Sequence, residues 1–148
     1  MKTLAIIVLL ASTSFTAPPK DLQYDFDPPA FPADTHGKLF HYYMPTHDNF
    51  AANLNVMAQP YADTLEAYDT LSQSQFKQLG LELISGGIEE GVLTYEYKGN
   101  TQGFELRWYS RAFKRGEVVY LITVTVLADR WEEDSPVLIK SAKSFEIN

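Results

Sequence analysis

From Leu39 to the C-terminus the period of apolar and polar positions changes several times, and each change marks an element. Leu39-Phe40-His41-Tyr42-Tyr43 reads as a short strand, and Pro45 to Asn49 as a turn. Phe50 to Gln59 alternates: Ala52, Leu54, Val56 and Ala58 stand against Ala51, Asn53, Asn55 and Met57. That is the period of a half-buried strand. The period then lengthens, and Leu65, Tyr68, Leu71, Phe76 and Leu79 trace one face of a helix. Asp63 is placed to cap it, Glu66 to complete a capping box, and Gly80 to end it. Leu81 to Ser85 predicts a further strand, with Gly86-Gly87 as the turn after it.

Val92 to Leu127 predicts three antiparallel strands, and the side-chain pattern suggests their register. A turn at Asn100-Thr101 would set Tyr97 opposite Phe104, Tyr95 opposite Leu106 and Leu93 opposite Trp108. All the large apolar groups then share one face. A three-residue loop, Lys114-Arg115-Gly116, would set Trp108 against Ile122 and Leu106 against Val124, so that both hairpins share that face. A two-residue Arg115-Gly116 loop would instead set Trp108 against Thr123. On the favoured register the opposite face carries Thr94, Glu96, Lys98, Glu105, Arg107, Tyr109, Arg111, Thr123 and Thr125, together with Val92, Val119 and Leu121. Ser135-Pro136 predicts the start of a last helix running to about Ser144, after an irregular approach through residues 129–133. Phe145-Glu146-Ile147 closes the chain as an extended piece.

The N-terminal part obeys different rules. Lys2, the apolar run Leu4 to Ala11 and the small residues up to Ala17 have the three-part layout of a secretory leader, expected over 1–17. The apolar run is shorter than the roughly 20 residues a membrane span needs, so no stable membrane insertion is expected once the leader is removed. Residues 18–38 carry Pro18, Pro19, Pro28, Pro29 and Pro32, which block helix and central strand, so an extended arm is expected there. Residues 39–148 remain as a single α+β domain, an antiparallel sheet with helices packed on it. The expected location is exported, periplasmic or secreted.

Composition narrows the chemistry. The 148 residues include no cysteine, which excludes disulfides, thiol nucleophiles, thiolate metal sites and a lipoprotein anchor. The formal charge is −7, and an acidic surface argues against a nucleic-acid partner.

The order of elements, with the strings DNFAANLNV (from Asp48), GVLTYEYKG (from Gly91), YLITVTV (from Tyr120) and SFEI (from Ser144), resembles the PsbP-like superfamily, the group of Mog, PsbP and DcrB. The resemblance spans roughly Leu39 to Ile147 and implies an α/β/α sandwich. It also implies an accessory, binding or chaperone-like protein of a larger assembly. It brings no shared set of functional residues. Exported DcrB-type members are often lipoproteins, and this chain lacks the cysteine for that.

Against that background each constellation of reactive residues is weak. His36, His41 and His47, with Asp48 beside the last, are metal-capable types, but their spacing does not make them converge. Asp25-Phe26-Asp27 and Glu132-Glu133-Asp134 lack the spacing of a calcium loop. Glu96 and Glu105 are expected across a hairpin from one another, with Arg107 placed diagonally to relieve them. Nothing assembles a nucleophile, a base and an orienting group, so no catalytic residues, no enzyme activity and no cofactor are expected. Tyr95, Tyr97, Trp108 and Tyr120 read as core before they read as the lining of a ligand pocket. Arg107, Tyr109, Arg111 and Leu121 form a local basic and aromatic patch, the best candidate for a partner site. The expectation is an accessory protein that engages a protein or envelope component through a sheet face. The alternative is a small-ligand or metal-binding module that uses the histidines or the aromatic group.

Overall fold

A computed structural model describes residues 24–25 and 39–147. The expected leader over 1–17, most of the expected arm over 18–38, and His36 lie outside the described residues.

The elements in chain order are β1 (Tyr24–Asp25), β2 (Phe40–Tyr43), β3 (Asn53–Pro60), α1 (Leu65–Gln78), β4 (Glu82–Glu89), β5 (Val92–Thr101), β6 (Phe104–Arg115), β7 (Val118–Leu127), a 3-10 turn (Ala128–Arg130), α2 (Trp131–Ser144) and β8 (Glu146–Ile147). Six strands form one antiparallel sheet in the order β2-β3-β7-β6-β5-β4, and β8 pairs with β1 apart from it. α1 covers one face, where Leu65, Tyr68 and Phe76 meet Tyr95, Tyr97, Leu106, Trp108 and Leu121. α2 covers the other, where Trp131, Leu138 and Ala142 meet Leu54, Val56, Ile122, Val124 and Val126. This is the α+β architecture that the alternation predicts.

The register differs from the expected one, for reasons that lie in the turns. In the β5–β6 hairpin Thr101 pairs with Phe104, and the turn residues are Gln102 and Gly103, both at positive φ (52° and 84°). A two-residue turn of this type needs positive φ at both positions, which glycine tolerates and β-branched Thr101 resists. Each partner therefore lies four residues further along than expected: Tyr97 faces Trp108 and Tyr95 faces Ser110. A shift of four preserves the faces, so the apolar groups still share one side.

The β6–β7 hairpin shifts by an odd number. Arg115 pairs with Val118 around Gly116-Glu117, and Gly116 takes φ 58° at the first turn position. Trp108 therefore faces Thr125 and not Ile122, and the two lie on opposite faces of the sheet. The expected alignment of β7 is overturned. The physical cause is that β7 sits mid-sheet and is buried on both faces, so apolar residues on both sides leave no alternation to fix the register. The same double burial corrects β3, where Asn53 and Asn55 are as buried as Leu54 and Val56.

Element boundaries move too. Thr64, not Asp63, caps α1: its Oγ1 accepts from the Ala67 N–H at 3.1 Å. Leu79 falls past the helix end and is exposed, while Leu81 takes the core position. α2 begins four residues before Ser135, with Glu132, Glu133 and Asp134 in its first turn, where the helix dipole favours acidic groups. β4 runs straight through Gly86-Gly87, and the turn is Glu90-Gly91, both at positive φ.

Candidate functional site

The patch expected to meet a partner is the seat of α2. Arg107 Nε donates to Glu96 Oε1 at 3.0 Å, Nη2 makes a second contact with the same oxygen, and the guanidinium lies 4.7 Å over the Trp131 ring. That fixes the start of α2 against β6. Arg111 Nη1 donates to the Ala142 carbonyl at 2.8 Å, beside the Phe145 N–H that donates to the same oxygen at 3.4 Å, and so ties the end of α2 to β6. Tyr109 is half-buried against the same core, and burial raises its hydroxyl pKa while Arg111 opposes the rise. Leu121 is not on this face: it is buried on the α1 side, because β7 turns over relative to the expected register. Glu96 and Glu105 do not face each other either. Glu96 faces Tyr109, and Glu105 accepts from Asn100 Nδ2 at 2.8 Å.

The histidines stand apart in character. His41 is buried, with Nε2 3.3 Å from Asn53 Oδ1 and Nδ1 3.0 Å from the Tyr43 hydroxyl. His47 is exposed in a tight turn with Nδ1 3.1 Å from Asp48 Oδ2. Among the described residues no group of three or more His, Asp or Glu side chains is placed to hold a metal ion. In the acidic run at the start of α2, Asp134 forms a forked pair with Arg130 (2.9 and 3.1 Å), and Glu133 adds a third contact at 3.1 Å.

The aromatic group divides. Tyr97 stacks on Trp108 at 5.1 Å and on Phe76 at 4.4 Å, as part of the α1-side core. Tyr120 belongs to the α2 side, stacked on Phe113.

What the sequence reading missed is the extent and place of β4, expected only as a strand over Leu81 to Ser85 that ends at Gly86-Gly87. It is one edge of the sheet, β2 being the other, it is eight residues long, and all its residues but Ile88 are exposed. Among the described residues the large hydrophobics left exposed are Leu79 (56%), Leu83 (37%), Ile84 (41%) and Val137 (42%), and the first three lie at the corner of α1 and β4. Register slips between Leu83 and Ser85, a bulge that leaves Ile84 without a cross-strand partner. Gly86 lets the Tyr95 ring lie against the β4 backbone, since a Cβ there would stand 2.5 Å from Tyr95 Cδ1. Glu82 and Glu89 bracket the strand, with Glu90 just beyond. An edge of this kind has one chemical capability: its outward N–H and C=O groups can pair with another extended chain. The signal available in the sequence was Glu90-Gly91, a better turn pair than Gly86-Gly87 because Ile88 continues the alternation beyond the glycines.

No family model matches the chain, and no curated protein matches it. Solved structures do. PA94 of Pseudomonas aeruginosa, a protein of unknown function, aligns over 68% of this chain and 76% of its own, with 13% identity and a TM-score of 0.56. LpqN, involved in cell envelope biogenesis of Mycobacterium tuberculosis, aligns over 88% of this chain and 86% of its own, with 12% identity and a TM-score of 0.61. Cyanobacterial PsbP (CyanoP) from Synechocystis sp. PCC 6803 aligns over 88% and 84%, with 16% identity and a TM-score of 0.47. What the chain shares with PA94 and LpqN is the fold, a six-stranded antiparallel sheet with a helix on each face.

Proposed function

We propose that the chain is a non-catalytic accessory protein that binds a protein partner by accepting an extended segment along β4. The observation that carries this is the collection of exposed apolar side chains at one bare sheet edge. The patch first expected to serve a partner is spent on holding α2. Charge selects among segments. Glu82 and Glu89 flank the apolar middle of β4 on a chain of net charge −7, so a segment with an apolar centre and basic ends fits best. Self-pairing of two copies would bring glutamates against glutamates and is disfavoured. Lys98, 3.6 Å from Glu82, is exposed and relieves little of this charge.

On the same reading the chain is an exported member of the PsbP-like group. Two things support this: the leader-like N-terminus, and the fold shared with an envelope-biogenesis protein. No described helix is long and apolar enough to cross a membrane.

The test is a labelled peptide of about eight residues with alternating apolar side chains and lysine at both ends, followed by fluorescence anisotropy. Binding should weaken roughly tenfold in Glu82→Lys/Glu89→Lys and be lost in Ile84→Lys, whose charge guards the edge. Equal affinity for all three proteins, or no binding by wild type, would remove β4 as the site.

A further inference from the structure

The α1-side face of the sheet contains a buried polar band that neither helix packing nor the β4 edge explains. His41, Asn53, Asn55, Ser110, Thr123 and Thr125 are each 2% exposed or less. The pairing places them in two adjacent rows. One row runs His41, Asn55, Thr123, Ser110 across β2, β3, β7 and β6, and the other runs Asn53, Thr125, Trp108 across β3, β7 and β6. Part of the band is satisfied internally: Asn53 meets His41 and the Ala51 carbonyl, and Ser110 meets the Tyr97 hydroxyl at 3.1 Å. Three atoms are not. Asn55 Nδ2, Trp108 Nε1 and Thr125 Oγ1 are buried without a hydrogen-bond partner. Thr125 is the direct cross-strand neighbour of Trp108 and the diagonal neighbour of Asn55, so the orphaned groups belong to one patch.

An orphaned buried donor is costly, and neighbouring positions on three adjacent strands rarely collect several by accident. We propose that this patch is a built site for a small uncharged guest that presents an oxygen acceptor to Asn55 Nδ2 and Trp108 Nε1 and exchanges a hydrogen bond with Thr125. Two orphaned amide- or indole-type donors demand an acceptor, and no carboxylate, lysine or arginine is in the band to balance an ion. An internal water and the hydroxyl or carbonyl oxygen of a small organic molecule satisfy the same chemistry.

The experiment is NMR on the full chain. The Trp108 indole proton and the Asn55 side-chain amide are followed for a long-lived water contact, and then during titration with glycerol and with acetamide. A water contact unaffected by either probe identifies internal water. Shifts confined to Asn55, Thr125 and Trp108, and absent in Asn55→Leu, identify an organic guest. The stability of Thr125→Val gives a second reading with opposite signs. If a guest is bonded there, the isosteric change strands it and lowers Tm by roughly 3 °C; if the hydroxyl is a dry orphan, the change raises Tm. Absence of both a water contact and a probe shift, or a rise in Tm for Thr125→Val, overturns the proposal.

Discussion

At the scale of single residues, two adjacent glycines test the packing of β4. A methyl at Gly86 would meet Tyr95 Cδ1 at 2.5 Å and the Thr94 carbonyl at 3.0 Å, and that carbonyl cannot move without breaking the sheet. Gly86→Ala should cost about 1–3 kcal/mol. Nothing lies within 4 Å of a Cβ at Gly87, and its φ is not positive, so Gly87→Ala should be neutral or stabilising by about 0.5 kcal/mol. Urea denaturation of both variants checks the contrast. The buried tyrosines give a second test. Burial pushes the Tyr97 hydroxyl up from 10.0 to about 12, opposed by its hydrogen bond with Ser110, and burial raises Tyr68 as well. Both folded-state values lie above the unfolded one, so their contribution is complete below about pH 10 and is lost as pH rises through the folded values. Each should cost about 1.4 kcal/mol per pH unit in that window. Urea midpoints measured from about pH 9 to 11.5 should fall, and fall less steeply in Tyr97→Phe. A flat profile would mean that these rings are solvated. The aromatic core was legible in the sequence, since Tyr95, Tyr97 and Trp108 alternate in a β pattern. The orphaned Asn55 and Thr125 were not, because a buried asparagine has the same letter as one in solvent.

At the scale of elements, the two helices are held by different means. α1 is tied to the sheet through the Tyr95 hydroxyl, which donates to Asp69, and through Tyr68, whose hydroxyl donates to Gln59 Oε1 at 2.7 Å. α2 is held at both ends by arginines of β6: Arg107 under Trp131 and Arg111 at the last carbonyls. Arg111→Ala should cost about 1.5–3 kcal/mol, because it leaves the Ala142 carbonyl without its charged donor. Hydrogen exchange should show the loss in the last turn of α2 before the rest of the sheet; uniform destabilisation would contradict that local role. Element types were largely readable: every predicted strand and both helices exist. Turn chemistry decided what was misread. Gln102-Gly103 and Gly116-Glu117 set registers that the apolar pattern left open, and the doubly buried β7 gave no warning of its reversal. That reversal carried Leu121 away from Arg107 and Tyr109.

At the scale of the whole molecule, the sheet is asymmetric. Its centre, β7, is buried on both faces, while its β4 edge carries exposed leucine and isoleucine between glutamates. Soluble proteins guard such edges with lysine, proline or cover. Here a bulge and flanking carboxylates are the guard, which deters a second acidic copy but admits a basic segment. The most direct measurement is residue-resolved hydrogen exchange of the chain with and without the lysine-ended apolar peptide. Strand addition predicts that the outward-facing amides of Glu82–Glu89 become protected, while those of β2 and α2 are unchanged. Peptide binding that leaves the β4 amides exchanging at their free rate would contradict it.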